Sequence, residues 1–118
     1  MAAQVYQGGC QCGAVRYEVT VDLASTVVCN CSRCRRLGTI MAFTTMDEFE
    51  PLSDKDATTE YLFNKHVIHH LFCSTCGIQS YSYGTRPDGA EMVAINSRCL
   101  DGVDSEQLKP KHYDGKNH

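Results

Sequence analysis

Seven of the eight cysteines in this 118-residue chain fall into three short-spaced clusters. Cys10 and Cys12 form a C-x-C pair, Cys29, Cys31 and Cys34 a C-x-C-x-x-C triplet, and Cys73 and Cys76 a C-x-x-C pair. Cys99 stands alone. Short-spaced cysteines offer two sulfurs to one ion from a single turn. The two pairs supply four thiolates, which closes a tetrahedral zinc site. The triplet supplies three, which leaves one position open to a substrate. The spacing therefore predicts two zinc sites, one structural and one open.

The alternative for these thiols is a set of disulfides or of ordinary buried, reduced side chains. The N-terminal stretch MAAQVYQGG has no basic region followed by an apolar one, so no signal peptide is expected. A cytoplasmic location follows as the expectation, and there thiols stay reduced. No run approaches the roughly 20 apolar residues of a membrane helix, so no membrane partner is expected. The formal charge is −3, and thiolates bound to zinc would make it more negative. That balance argues against a nucleic-acid partner, because such affinity comes mainly from phosphate neutralisation by Lys and Arg. A small molecule or another protein is the expected partner. Nothing in the sequence indicates an oligomeric state.

One domain is expected over 1–118, with a core of about 7–104 and room for one modest hydrophobic centre. Short strands are predicted over Ala14 to Val21, Ser25 to Cys29, Thr39 to Thr45, Thr59 to Phe63, His66 to Phe72, Gln79 to Tyr83 and Glu91 to Ile95. Asn64-Lys65 reads as a hairpin turn, and Arg86-Pro87-Asp88-Gly89 as another turn. Helix is predicted only as single turns at Cys34 to Leu37 and near Asp104 to Leu108, the second capped by Asp104. The fold class expected is mainly β.

Glycines flank both cysteine pairs: Gly8, Gly9 and Gly13 at the first, Gly77 at the second. They allow thiolates to turn toward one ion and to accept amide hydrogen bonds. The pairs lie far apart in sequence, so a shared ion would clasp an early strand to a late one. Around the triplet, Arg33, Arg35 and Arg36 could offset thiolate charge and bind a substrate carboxylate. The bland alternative is a solvated basic turn. Cys99 decides between two pictures. If it joins the triplet, both sites are closed and structural. If it is a small buried hydrophobe, as a lone cysteine commonly is, the second site stays open. His66, His69 and His70 share a predicted strand, with His66 and His70 on one face and His69 on the other. They are expected to make simple hydrogen bonds rather than to ligate. Tyr61, Phe63, Phe72, Tyr81 and Tyr83 read as packing.

Four segments occur in a telling order: Gly8-Gly9-Cys10-Gln11-Cys12-Gly13-Ala14-Val15-Arg16-Tyr17, Cys29-Asn30-Cys31-Ser32-Arg33-Cys34-Arg35, Phe72-Cys73-Ser74-Thr75-Cys76-Gly77-Ile78 and Asn96-Ser97-Arg98-Cys99-Leu100-Asp101. They closely resemble the GFA family, the glutathione-dependent formaldehyde-activating enzymes, which also includes centromere protein V. The likeness runs from about Gln7 to Asp104. It implies a β-tent fold, with short antiparallel sheets organised around zinc. It implies a structural zinc at Cys10, Cys12, Cys73 and Cys76, and a zinc assigned to catalysis at Cys29, Cys31 and Cys34. It also implies condensation of formaldehyde with glutathione to S-(hydroxymethyl)glutathione, classed in reverse as a carbon-sulfur lyase reaction.

The reading is thus a zinc-dependent carbon-sulfur lyase-like protein. Its partners would be a small-molecule thiol such as glutathione and a small aldehyde. The alternative is a non-catalytic, zinc-stabilised module that binds glutathione or a protein partner.

Overall fold

Among the described residues, ten strands and one short helix follow each other. They are β1 (Gln4–Gly9), β2 (Arg16–Val21), β3 (Thr26–Cys29), α1 (Ser32–Leu37), β4 (Met41–Thr45), β5 (Phe49–Pro51), β6 (Thr58–Tyr61), β7 (Ile68–Cys73), β8 (Tyr81–Thr85), β9 (Glu91–Asn96) and β10 (Lys111–Tyr113). This computed structural model describes residues 3–62 and 67–117. The turn expected at Asn64-Lys65, together with Phe63 and His66, lies outside the described residues.

The strands form two sheets. A small antiparallel one has the order β1-β2-β5, and a larger one the order β10-β3-β4-β9-β8-β7-β6. Every pairing in the larger sheet is antiparallel except that of β10 with β3, which is parallel. The fold is therefore mainly β, with one antiparallel and one mixed sheet. The parallel strand departs from the purely antiparallel expectation. It needs no tight turn, since the chain returns to β3 from its far end.

Alternation in β2 builds the core. Tyr17, Val19 and Val21 are buried, and the residues between them are half-buried. From the other sheet, Ala42, Val93 and Ile95 meet them, with Leu23, Ile40, Leu100 and Leu108 closing the ends. Tyr17 is the centrepiece. Its ring lies 5.1 Å from that of Phe49 and 5.6 Å from that of Tyr81, and its hydroxyl donates to the Ser80 carbonyl at 3.2 Å. A second, smaller apolar cluster gathers Cys10, Val15 and Cys73, with Ala57, Cys76 and Tyr81 against it. Tyr81 touches both clusters, so the cysteine turns are packed onto the core rather than hung from it.

Seven predicted strands are present, within the few residues by which boundaries vary. The turn near Asp104 is a 3-10 turn over Ser105–Gln107, and the Asp104 carboxylate accepts from the Glu106 amide at 3.1 Å. Strands β1, β5 and β10 were not expected. β1 carries two glycines, and β5 and β10 are only three residues long, so none shows a periodic signal.

Tyr17→Phe keeps the ring and removes one buried hydroxyl. Ser80's carbonyl still accepts from the Asn96 amide at 2.9 Å, so the cost should be only about 0.5–1.5 kcal/mol. Tyr17→Ala also empties the space between the sheets and should cost about 3–5 kcal/mol. Urea denaturation of both variants measures the difference. Equal losses would mean that the ring is not the core's centre.

Candidate metal centres

Two turns built alike present the four paired cysteines. In the first, the Cys10 amide donates to the Val15 carbonyl at 3.1 Å, and in the second the Cys73 amide donates to Ile78 at 3.0 Å. Each turn reverses at the glycine that follows its second cysteine. Gly13 has φ 85° and Gly77 has φ 82°, a region that costs other L-residues strain. The four sulfurs lie within 4.8 Å of one another. Cys12 Sγ is 3.6 Å from both Cys10 Sγ and Cys73 Sγ. A tetrahedral zinc with bonds of about 2.3 Å needs sulfurs about 3.8 Å apart, so the set fits zinc.

Backbone amides point at these sulfurs. Val15 donates to Cys10 Sγ at 3.2 Å, and Thr75 and Cys76 both donate to Cys73 Sγ at 3.3 Å. The Cys76 amide, with that of Thr75, outweighs burial and lowers the Cys73 thiol to about 6. The Ile78 amide lowers Cys76 likewise. Cys12 goes the other way: despite the Ala14 amide, the adjoining Cys73 sulfur and burial hold it up at about 11. The group is poised for partial ionisation by itself, and a divalent cation would complete it.

The triplet is positioned by the end of β3 and the start of α1. Cys29 closes β3, and Cys31 caps α1 by accepting from the Cys34 amide at 3.3 Å. The Cys31 amide donates to Cys29 Sγ at 3.4 Å. These three sulfurs also lie within 4.8 Å of one another and could hold a metal ion. Burial opposes ionisation of Cys31, but the Cys34 amide and the neighbouring thiols lower it overall. Burial, then Cys31, pushes Cys34 up to about 12.

Cys99 does not join the triplet. It sits by the other cluster: burial raises its thiol to about 11, with Cys10 and Cys76 adding to the shift. The sulfurs gathered at the triplet are those of Cys29, Cys31 and Cys34, so in this geometry Cys99 does not close the second site. His69 is not a ligand either. It contacts the Glu60 carboxylate and stacks on Tyr83 at 4.5 Å.

The three arginines part company. Arg35 lines a cleft of about 240 Å³ with Cys29, Asn30, His112 and Tyr113. Arg33 and Arg36 border a different depression, of about 470 Å³, with Ser32, Leu37 and Tyr61. Arg33 donates to Gln79 Oε1 from Nε at 3.0 Å and from Nη2 at 2.6 Å, and lies 4.7 Å over the Tyr61 ring. Arg36 donates to the Ser32 carbonyl at 2.8 Å. Of the three, Arg35 is the one whose cleft is also lined by a triplet cysteine, Cys29.

Sequence reasoning missed Gln79 and His112. With Oε1 taken by Arg33, the Gln79 amide nitrogen faces His70 Nδ1 at 3.4 Å, so that ring nitrogen is the acceptor and His70 is neutral. Burial, with Arg33 nearby, lowers His70 to about 4. His112 comes from β10, which carried no sequence signal.

A small, mainly β fold that presents one four-cysteine and one three-cysteine group defines the class as a cysteine-rich protein with two groups that could each hold a metal ion. Comparison with known proteins narrows it. The family described as glutathione-dependent formaldehyde-activating enzyme matches residues 5–114, and the chain belongs to that family. A crystal structure of a Rhodobacter sphaeroides protein is similar, with 32% identity, a TM-score of 0.80, and coverage of 90% of this chain and 97% of that one. Among the described residues, no helix is long and apolar enough to cross a membrane.

Two measurements follow from this geometry. Cys73→Ser should weaken the fold by several kcal/mol if the four sulfurs hold a metal, because the binding free energy of that metal stabilises only the folded chain. Cys31→Ser should chiefly lose metal from the triplet, so thermal melts of the two should differ clearly. Equal collapse would mean that both centres are structural. Separately, the His70 ring should stay neutral in an NMR titration well below 6.5, with a midpoint of about 4. Because the unfolded chain then binds the extra proton, this residue's contribution to stability should fall as pH drops from 6.5 toward about 4.

Proposed function

We propose that this protein is a zinc-dependent carbon-sulfur lyase-type enzyme that makes and cleaves adducts between a thiol and a small aldehyde. Glutathione and formaldehyde are the pair that family membership suggests. The observation that carries the reading is the triplet itself: three sulfurs converge beside a cleft, and Cys99, the one cysteine left over, lies elsewhere.

Cys10, Cys12, Cys73 and Cys76 would hold a structural zinc, and Cys29, Cys31 and Cys34 a second one. Zinc in the triplet would supply Lewis acidity, lowering the pKa of a substrate thiol so that it is present as thiolate. Arg35, in the cleft beside Cys29, would offset the negative charge there and pair with a carboxylate of the thiol substrate. In adduct formation a carbon-sulfur bond forms while the aldehyde π bond breaks. The proton given up by the thiol ends on the new hydroxyl. His112, exposed in the same cleft, is the group we assign to carrying that proton. In reverse it takes the hydroxyl proton as the carbon-sulfur bond breaks.

Binding of glutathione should release about one proton per site near neutral pH, which calorimetry in buffers of different ionisation enthalpy measures. Arg35→Ala should weaken glutathione about tenfold and leave mercaptoethanol, which lacks a carboxylate, nearly unchanged. Cys99→Ser should keep both metals and the activity. Exchange NMR with labelled formaldehyde reads the reaction directly. A protein that holds two metals, binds glutathione and does not speed adduct exchange would be a binding module instead.

A further inference from the structure

Asn30 sits between two cysteines of the triplet, and its amide and both polar atoms of its side chain are directed to the C-terminal segment. Its amide donates to the Tyr113 carbonyl at 3.2 Å. Its side-chain nitrogen donates to Asp114 Oδ1 at 2.8 Å, and its side-chain oxygen accepts from the Lys116 amide at 3.0 Å. Asp114 is held in turn, accepting from Asn117 Nδ2 at 2.6 Å. The register of β10 on β3 sets Tyr113 opposite Cys29. The chain then passes so close to the triplet that a Cβ on Gly115 would lie 2.4 Å from Cys29 Sγ and 3.5 Å from Cys31 Cβ. The Cys29 sulfur is thus confined between the Cys31 amide and the Gly115 backbone.

We propose that residues 111–117 form a strap over the second metal centre, and that Asn30 and Gly115 are positioning residues which fix the Cys29 sulfur where a metal can use it. The proposal rests on the reading of the triplet as a metal site. Gly115 and Lys116 lie past the last residue of the family match, so the strap extends beyond what that match covers. The argument is one of tolerance. Metal-sulfur distances vary by only about 0.2 Å in a working site, whereas a methyl group at Gly115 would have to displace the sulfur by far more. The strap cannot simply lift away, because Asn30 ties it down on both sides of Gly115, at Asp114 and at Lys116. The strap also carries His112 and Tyr113 into the cleft beside Cys29, so the same ties define one wall of that cleft.

Cobalt(II) titration with chelator competition tests this, because thiolate-to-cobalt absorption reports each centre by its own band. Gly115→Ala and Asn30→Ala should each weaken the triplet centre about 10–100-fold and shift its band, leaving the four-cysteine centre unchanged. Lys116→Ala should have no effect, since only that residue's backbone is used. Asn30→Asp should weaken the centre, and adding Asp114→Asn should restore it by reversing the donor and acceptor. Gly115→Ala combined with Asn30→Ala should be less than additive, because a freed strap can move off the methyl group. If Gly115→Ala does not fold, the Asn30 and Asp114 pair carries the same decision. Two cobalt ions bound with wild-type affinity and spectrum in the Gly115 and Asn30 variants would overturn the strap alone. A wild-type protein that binds a single cobalt would overturn the metal reading of the triplet, and the strap with it.

Discussion

The clasp between the Cys10-Cys12 turn and the Cys73-Cys76 turn is the contact on which the other parts depend. It brings together residues 61 apart in the chain, and a metal held there would add its binding free energy to the folded state alone. A total stability of roughly 5–15 kcal/mol is usual for a domain, so such a link would be a large fraction. The small core makes the link more necessary. Only one aromatic cluster, Tyr17 with Phe49 and Tyr81, spans the space between the two sheets among the described residues. Tyr81 also packs on Cys10, Val15 and Cys73, so the clasp and the core form one cooperative unit.

The two cysteine groups differ in their surroundings more than in their sulfurs. Around the four-cysteine group, both turns repeat one design, and each sulfur pair is fixed by local amides and a glycine at positive φ. That arrangement is self-contained within ten or so residues of backbone. The triplet instead borrows from three places. β3 supplies Cys29, the cap of α1 supplies Cys31, and the C-terminal segment closes over both. A group assembled from separate elements is easier to distort, and that is compatible with a site that exchanges ligands.

Legibility in the sequence followed how local the signal was. Metal-ligand spacing is a short-range code, and the seven clustered cysteines gather into the two groups that their spacing indicated. Alternation in β2 was equally readable, because Tyr17, Val19 and Val21 share one face. What stayed hidden depends on long-range pairing. β10 is three exposed residues, and its place beside β3 is written in a register that no periodicity reveals. For the same reason His112 and Gly115 carried no signal, although both end at the triplet. Arg33 shows the converse. Its proximity to the cysteines in sequence suggested a ligand contact, yet its side chain turns to Gln79, which arrives from 46 residues away.

Charge adds a last constraint on what the triplet can accept. The chain as a whole is negative, at −3, and cysteine thiolates deepen that. An anionic thiol would be repelled by the average surface. Around α1 the balance reverses, since the helix contains Arg33, Arg35 and Arg36, and its first turn has no acidic residue. Positive side chains are therefore concentrated on α1 within a negative molecule, and Asp114 brings one carboxylate to the cleft that Arg35 and Cys29 line. Under the proposed function that concentration would favour a small anionic thiol over a large acidic surface, because only a small ligand can sit within a Debye length of the arginines while avoiding the remaining charge. The division among the three arginines sharpens this further. Arg33 and Arg36 contribute their charge from a neighbouring depression, and Arg35 is the one that can also form a directed hydrogen bond in the cleft beside Cys29.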